Sequence, residues 1–275
     1  PGADAAQGPD VSSLTAMSQP SSRRRRLALA LVVSLGVLLG ACSSERPELA
    51  EEPESTTTST TEATTTTEAP APAAQRAQAR AEAVDLYPSA DAPEPDRQLT
   101  AAEATSAPGI PIVFLVKDQE GDRYEVYLPV RPNGSTAWVD KDDVEVAAVR
   151  HRIEVEIAAH RIRVYEDDEL LVDEPVGVGR DDRPTPGGIY YIKELLQPPN
   201  PNGAYGVYAY GLNGFSDVLT SFNGGQGVLG IHGTNEPDKL GQDVSSGCIR
   251  LHNDVIDRLV NEIGLPLGTP VEVIA

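Results

Sequence analysis

Ser245-Ser246-Gly247-Cys248-Ile249-Arg250-Leu251-His252-Asn253 runs straight into Asp254 to Gly264, the one clear helical pattern of this 275-residue chain. Asn253 is a good N-cap, and Asp254 sits where a negative charge meets the positive end of the helix dipole. Ile256, Leu259, Val260 and Ile263 fall at i, i+3, i+4 and i+7, which gives one apolar stripe. Gly264 supplies the stop, because the residue closing a helix often takes left-handed backbone. Packed on a sheet by that stripe, the helix fixes the segment that immediately follows Cys248.

Upstream the pattern is β. Ile153-Glu154-Val155-Glu156-Ile157 and Ile162-Arg163-Val164-Tyr165 alternate apolar with polar. Leu170 to Val178, Ile189 to Lys193, Val228 to His232 and Val271 to Ile274 are further strand candidates, broken by the loop Pro198-Pro199-Asn200-Pro201-Asn202-Gly203. Residues 149–275 therefore read as one mainly β domain with one short C-terminal helix.

Before it, residues 108–148 hold three short strand candidates, Ile110 to Val116, Tyr124 to Val130 and Ala137 to Val139. Turns at Gly121-Asp122 and Pro132-Asn133-Gly134 separate them. A unit of about 40 residues is marginal alone. Trp138 reads as its core aromatic, with a ligand platform as the other reading.

Residues 43–107 read as a disordered linker, carrying Thr56-Thr57-Thr58-Ser59-Thr60-Thr61, Thr64 to Thr67 and Ala69-Pro70-Ala71-Pro72. Such a composition buries too little apolar surface to offset chain entropy. A flexible chain of that length spans about 45 Å. A short helix over Ala77 to Leu86 is the most structure it suggests.

Residues 1–42 read as an upstream extension, preceding Met17, and an export signal. Arg23 to Arg26 are basic, and Leu27 to Leu39 is apolar but shorter than the roughly 20 residues a membrane span needs. Leu39-Gly40-Ala41-Cys42 resembles the lipobox of bacterial lipoproteins. That resemblance implies cleavage before Cys42, lipidation of its sulfur and anchoring at the outer face of the cytoplasmic membrane, against the cell wall. Ordinary cleavage nearby is the alternative.

The net charge of −20 argues against nucleic acid as a partner, since phosphate contacts need a basic surface. Cys42 and Cys248 are the two cysteines. With Cys42 committed to lipid, Cys248 is a lone thiol in an oxidising compartment, without a disulfide partner in the chain.

A thiol becomes a strong nucleophile on losing its proton, and an imidazole can take it. His232 ends an apolar strand and precedes Gly233, where the chain can turn sharply. His252, close to Cys248, is its rival, while His151 and His160 suit surface roles. Gly247 permits close backbone approach, so the Gly247 and Cys248 amides suit an oxyanion site. Arg250 either grips a substrate carboxylate or braces the loop. One Cys and scattered His make no recognisable metal set, and no cofactor is expected.

Ile231-His232-Gly233-Thr234, Gly241 and Ser245 to Asn253 together resemble the signature of YkuD-type L,D-transpeptidases. Arg183-Pro184-Thr185-Pro186-Gly187-Gly188-Ile189-Tyr190 is similar to the Thr-Pro-x-Gly stretch of that family. The resemblance covers about residues 150 to 275. It implies a YkuD-like β-sandwich that cross-links peptidoglycan stem peptides, a donor tetrapeptide with an acceptor amine, and is inhibited by carbapenems. It further implies Cys248 as nucleophile, His232 as base and the Gly233 carbonyl as orienter of the imidazole. Many members carry His where this chain has Ser246. Ser245, Ser246, Arg250 and Tyr210 are assigned to substrate binding, although two of Tyr205, Tyr208 and Tyr210 are expected merely to pack. Leu128 to Val139 resembles the SH3-like modules that precede catalytic domains in some cell-wall enzymes.

An L,D-carboxypeptidase would use the same residues with water as acceptor. A non-catalytic wall-binding lipoprotein is the reading from another class. NlpC/P60 hydrolases place Cys before His, the reverse of this chain, and sortases lack the Ser-x-Gly-Cys-Ile-Arg run.

Overall fold

Residues 74 to 107, expected as linker, are instead strands and a helical turn. The computed structural model describes residues 15–16, 74–221 and 225–275. The Thr-rich stretch, the export segment and Cys42 lie outside the described residues. Strands β1 (Ala74–Ala79), β2 (Ala83–Leu86) and β3 (Arg97–Thr100) lead into the single-turn helix α1 (Ala101–Ala104). Their signal is faint because the inward positions of β1 are the small Ala77 and Ala79. The same alternation buries Val84 and Leu86 of β2, so no helix forms over Ala77 to Leu86. A capping box starts α1, with Thr100 N–H and hydroxyl both donating to Glu103 at 2.9 Å.

The chain continues as β4 (Val113–Glu120), β5 (Arg123–Tyr127), β6 (Thr136–Asp140) and β7 (Val144–Val149). These strands and β1 form one sheet in the order β6-β5-β4-β1-β7. The N-terminal β-module thus begins at Ala74 and runs to Val149, wider than the expected 108–148. Phe114, Leu86, Leu99 and Val126 fill its core. Trp138 is half-buried and outside that cluster, so Phe114 takes the place expected of it.

The larger sheet comprises β8 (His151–Glu156), β9 (Arg161–Glu166), β10 (Glu169–Pro175), β12 (Gly188–Gln197), β13 (Ala209–Phe215), β14 (Val228–His232), β16 (Ile249–Arg250) and β17 (Pro270–Ile274). Two short strands, β11 (Val178–Gly179) and β15 (Asp243–Ser245), pair beside it in parallel. The order is β10-β9-β8-β17-β12-β13-β14-β16, and the dipeptide Thr15–Ala16 adds to β12. The long β12 serves both halves, pairing β17 through Gly188 to Tyr191 and β13 through Ile192 to Leu196.

Strand β13 is the element that its sequence hides. Ala-Tyr-Gly-Leu-Asn-Gly-Phe offers no alternation, because every residue in it is buried. The helix follows the expected stripe: Ile256, Leu259 and Val260 are buried, and Gly264 closes it at φ 70°. It runs as α2 (Asn253–Arg258) and widens into a π turn, Leu259–Ile263. Its N-cap is His252, one residue before the expected Asn253.

A buried polar clamp joins the module to the sheet. Lys193 and Glu194 of β12 pair at 3.2 Å. Lys193 Nζ donates to Ala104 O at 2.8 Å, while Glu194 accepts from Ser106 N–H at 2.8 Å and its hydroxyl at 2.6 Å. Every charge therefore has a partner, which buried ions require. Gly211 makes room, since a Cβ there would lie 2.5 Å from Glu194 Oε1.

Candidate active site

The His232 and Cys248 segments come together because two distant stretches pair in parallel, Ile231 with Ile249 and His232 with Arg250. Leu251 N–H extends the ladder, donating to His232 O at 2.8 Å. On the other flank Arg250 exchanges two hydrogen bonds with Gly177, at 2.8 and 3.0 Å. The Cys248 segment is thereby held on both sides. Residues alternate faces along a strand, so Gly230 and His232 share the face to which Cys248 and Arg250 belong.

The imidazole is fixed and buried. His232 Nδ1 lies 2.6 Å from Gly233 O. A carbonyl only accepts, so Nδ1 carries the proton and Nε2 presents its lone pair. Burial lowers the His232 pKa from 6.5 to about 4; the Gly233 bond opposes this shift and the Arg250 charge adds to it. Tyr205 stacks on the ring, centroids 4.8 Å apart and tilted by 59°.

The Gly233 carbonyl is itself held by close packing. Gly206 stands against it at φ 63°, and a Cβ on Gly206 would lie 2.6 Å from Gly233 Cα and 2.1 Å from Asn253 Oδ1. Asn253 Oδ1 accepts from Thr234 N–H at 3.0 Å. The residue expected to cap the helix thus pins the turn after the histidine.

Cys248 is half-buried, and its Sγ lies 4.0 Å from Val228 O. Burial pushes the thiol up, with the Gly230 backbone and the Arg250 charge opposing. Near neutral pH the pair therefore rests as thiol and neutral imidazole.

The turn before Cys248 is braced by two hydroxyls. Ser245 Oγ accepts from Gly247 N–H at 3.0 Å and donates to Cys248 O at 2.6 Å. Thr185 Oγ1 accepts from Gly179 N–H at 2.8 Å and donates to Gly247 O at 2.9 Å. Gly247 itself takes φ 116°, a conformation that side chains resist.

Three expectations change here. The Gly247 amide is spent on Ser245, so of the two amides expected at the oxyanion site the Cys248 N–H is the one left. Ser245, expected at the substrate, is buried with its hydroxyl committed to the turn. Tyr210 is fully buried in β13 and donates to Leu259 O at 3.3 Å, so it packs the core and touches no substrate. Tyr208 also packs, accepting from Asn261 Nδ2 at 3.3 Å.

Arg250 braces the loop, its Nη1 bonded to Glu236 Oε2 at 3.0 Å. Ser246 is half-buried beside Arg183 Nη1 at 3.4 Å. His252 is exposed and accepts from Asp254 N–H at 3.3 Å, which makes it a cap rather than a base. His160 pairs with Asp243 at 2.9 Å, and His151 lies in β8. Thr185 and Asn253 are positioning residues that sequence reasoning missed; Thr185 stood inside the quoted Thr-Pro stretch without a role. Among the described residues no group of three or more His, Cys, Asp or Glu is assembled for a metal.

The family model of the L,D-transpeptidase catalytic domain, YkuD, matches residues 150–273. The Bacillus licheniformis protein named L,D-transpeptidase YkuD is 34% identical over 125 residues, 46% of this chain and 66% of that protein. The Escherichia coli protein named L,D-transpeptidase ErfK/SrfK is 31% identical over 165 residues, 54% of this chain and 52% of its own length. The chain thus spans about two thirds of the first and about half of the second. Among solved structures, L,D-transpeptidase 3 from Mycobacterium tuberculosis with a faropenem-derived adduct is similar at 16% identity. That match has a TM-score of 0.37 and covers 56% of this chain and 91% of that one.

Proposed function

From the premise that residues 150–273 are an L,D-transpeptidase catalytic domain of the YkuD family, we propose that this chain forms 3→3 cross-links between peptidoglycan stem peptides through a Cys248 thioester. The observation that carries the reading is the buried His232, its Nδ1 held at 2.6 Å by Gly233 O, on the strand paired with the Cys248 segment.

The steps follow from that geometry. His232 Nε2 accepts the thiol proton as Sγ attacks the carbonyl at the L-centre of the third, diamino-acid residue of a donor tetrapeptide. The carbonyl oxygen gains the negative charge, and the Cys248 N–H is the backbone donor available to it. The imidazolium then passes its proton to the nitrogen of the departing D-alanine, leaving a thioester on Cys248. The side-chain amine of an acceptor stem attacks the thioester and gives its proton to His232. As the tetrahedral intermediate collapses, the new amide forms and sulfur recovers its proton from the imidazolium.

Burial of His232 fits this sequence, because an imidazole of pKa about 4 stays unprotonated, with its Nε2 lone pair open, throughout the neutral range. Once protonated it is a strong acid that readily releases its proton to a leaving amine. Carbapenems, whose strained amide is attacked by the same sulfur, enter the proposal as inhibitors. Export and anchoring through Cys42 enter it as the placement, at the outer face of the membrane beside the wall.

Purified donor tetrapeptide with an acceptor stem provides the test. Mass spectrometry of the products should show 3→3 dimers. Trimmed tripeptides alone would mark an L,D-carboxypeptidase, and unchanged substrate a non-catalytic wall-binding protein.

A further inference from the structure

The N-terminal β-module reaches the acyl-transfer site through one loop. Arg131 and Asn133 stand in the turn between β5 and β6. Arg131 Nη1 donates to Ser216 O at 2.9 Å, and Nη2 donates to Leu219 O at 2.9 Å and Gln226 O at 3.0 Å. Its guanidinium also lies 4.8 Å from the Phe215 ring centroid. Asn133 accepts from Phe215 N–H and donates to Phe215 O, both at 2.8 Å. That reciprocal pair continues the edge of β13 as a backbone partner would.

The gripped residues flank the nucleophile turn. A Cβ placed on Gly247 would lie 4.0 Å from Ser216 Cβ and 3.3 Å from Leu229 Cδ2. Ser216 N–H bonds to Gly227 O at 2.8 Å, and the next residue, Val228, presents the carbonyl 4.0 Å from Cys248 Sγ. Planar guanidinium geometry suits three carbonyls converging from one loop, and a lysine ammonium matches it poorly.

We propose that Arg131 and Asn133 are positioning residues for acyl transfer: the module locks Phe215 and Ser216, which pack beside Gly247 and Val228, and so holds the backbone donor of Cys248 in register with the thiol. The proposal rests on the Cys248 acyl-transfer reading. The module is then a structural part of the active site, rather than a spacer on a tether.

Two chemistries at one sulfur test this. Acylation by a carbapenem needs the oxyanion donor, whereas alkylation by iodoacetamide needs only a reachable thiol. Both rates are measured at Cys248 on the full chain by peptide mass after digestion, which separates it from Cys42, with circular dichroism to monitor folding. In Arg131→Ala and Asn133→Ala, acylation should fall about tenfold or more, as small displacements of reacting groups do, while alkylation changes far less. Arg131→Lys should fall between them and wild type, and it supplies the comparison should the alanine variant not fold. Arg123→Ala, whose guanidinium bonds within the module to Asp140 and the 89–92 turn, should leave acylation within about twofold. Acylation unchanged in all Arg131 and Asn133 variants, or acylation and alkylation changing in parallel, overturns the proposal. A wild-type chain that is alkylated but never acylated overturns the acyl-transfer reading beneath it.

Discussion

His232 Nδ1 donates to the carbonyl of its own neighbour, Gly233, across 2.6 Å. The usual third member of such a constellation is a carboxylate, whose charge favours the imidazolium. A peptide carbonyl gives orientation with little charge, so burial dominates and His232 remains neutral. Its partner thiol is pushed up for the same reason. The resting thiol and imidazole form no ion pair with each other, and both pH predictions below follow from that.

The first concerns stability. The folded pKa of His232 is about 4, below its unfolded value near 6.5. Between those values the unfolded chain binds more protons, so stability is full above about pH 6.5 and is lost as pH falls through the folded value. The loss is about 3 kcal/mol between pH 7 and pH 4. Urea unfolding of wild type and His232→Gln at both pH values isolates it. The wild type should lose that much more than the variant, and equal losses would refute the buried neutral imidazole.

Alkylation of Cys248 reports the thiol directly. Its rate with iodoacetamide should climb with pH through and beyond the ordinary thiol range, as thiolate accumulates late. A plateau already present between about pH 5 and 7 would mean a preformed thiolate–imidazolium pair, against the account.

The Thr185 hydroxyl serves Gly179 N–H and Gly247 O at once, inside the protein. Thr185→Val strands both, at a cost of about 1–3 kcal/mol, and frees the turn before Cys248. Chemical denaturation should show the loss and the acylation rate should drop with it. Thr185→Ser restores both if the hydroxyl is what matters.

Gly206 and Gly241 both have positive φ, 63° and 83°, yet they differ in surroundings. A Cβ at Gly206 collides with Gly233 and Asn253, whereas at Gly241 nothing lies within 4 Å. Gly241→Ala should cost about 1 kcal/mol and leave acylation intact. Gly206→Ala should cost more and slow acylation, because the Gly233 carbonyl that orients His232 must move. Equal behaviour of the two variants would show that Gly233 packing is irrelevant to the site.

What could be read from the sequence was what repeats locally. The stripe from Ile256 to Ile263 and the alternation from Ile153 to Ile157 each mark a face turned to the core, and His232 ends its strand where Gly233 allows a turn. Elements whose burial leaves no period were not legible. Strand β13 is covered on both faces, so Tyr210 looked free to meet a substrate. Strand β1 hides its inward positions under alanine, so the first strands of the folded module passed for linker. Hydrogen-bond partners were least legible of all: Ser245 takes the Gly247 amide and Asn253 takes Thr234 through contacts that only the folded turn creates.

The central claim is that Cys248, served by His232, is an acyl-accepting nucleophile. Incubation of the full chain with a carbapenem, followed by intact mass, measures it most directly. The account predicts one covalent adduct on the wild type, none on Cys248→Ala, and formation slowed about 100-fold or more in His232→Gln. An adduct that persists in Cys248→Ala, or a wild type that is alkylated by iodoacetamide at Cys248 yet takes up no carbapenem, would contradict it.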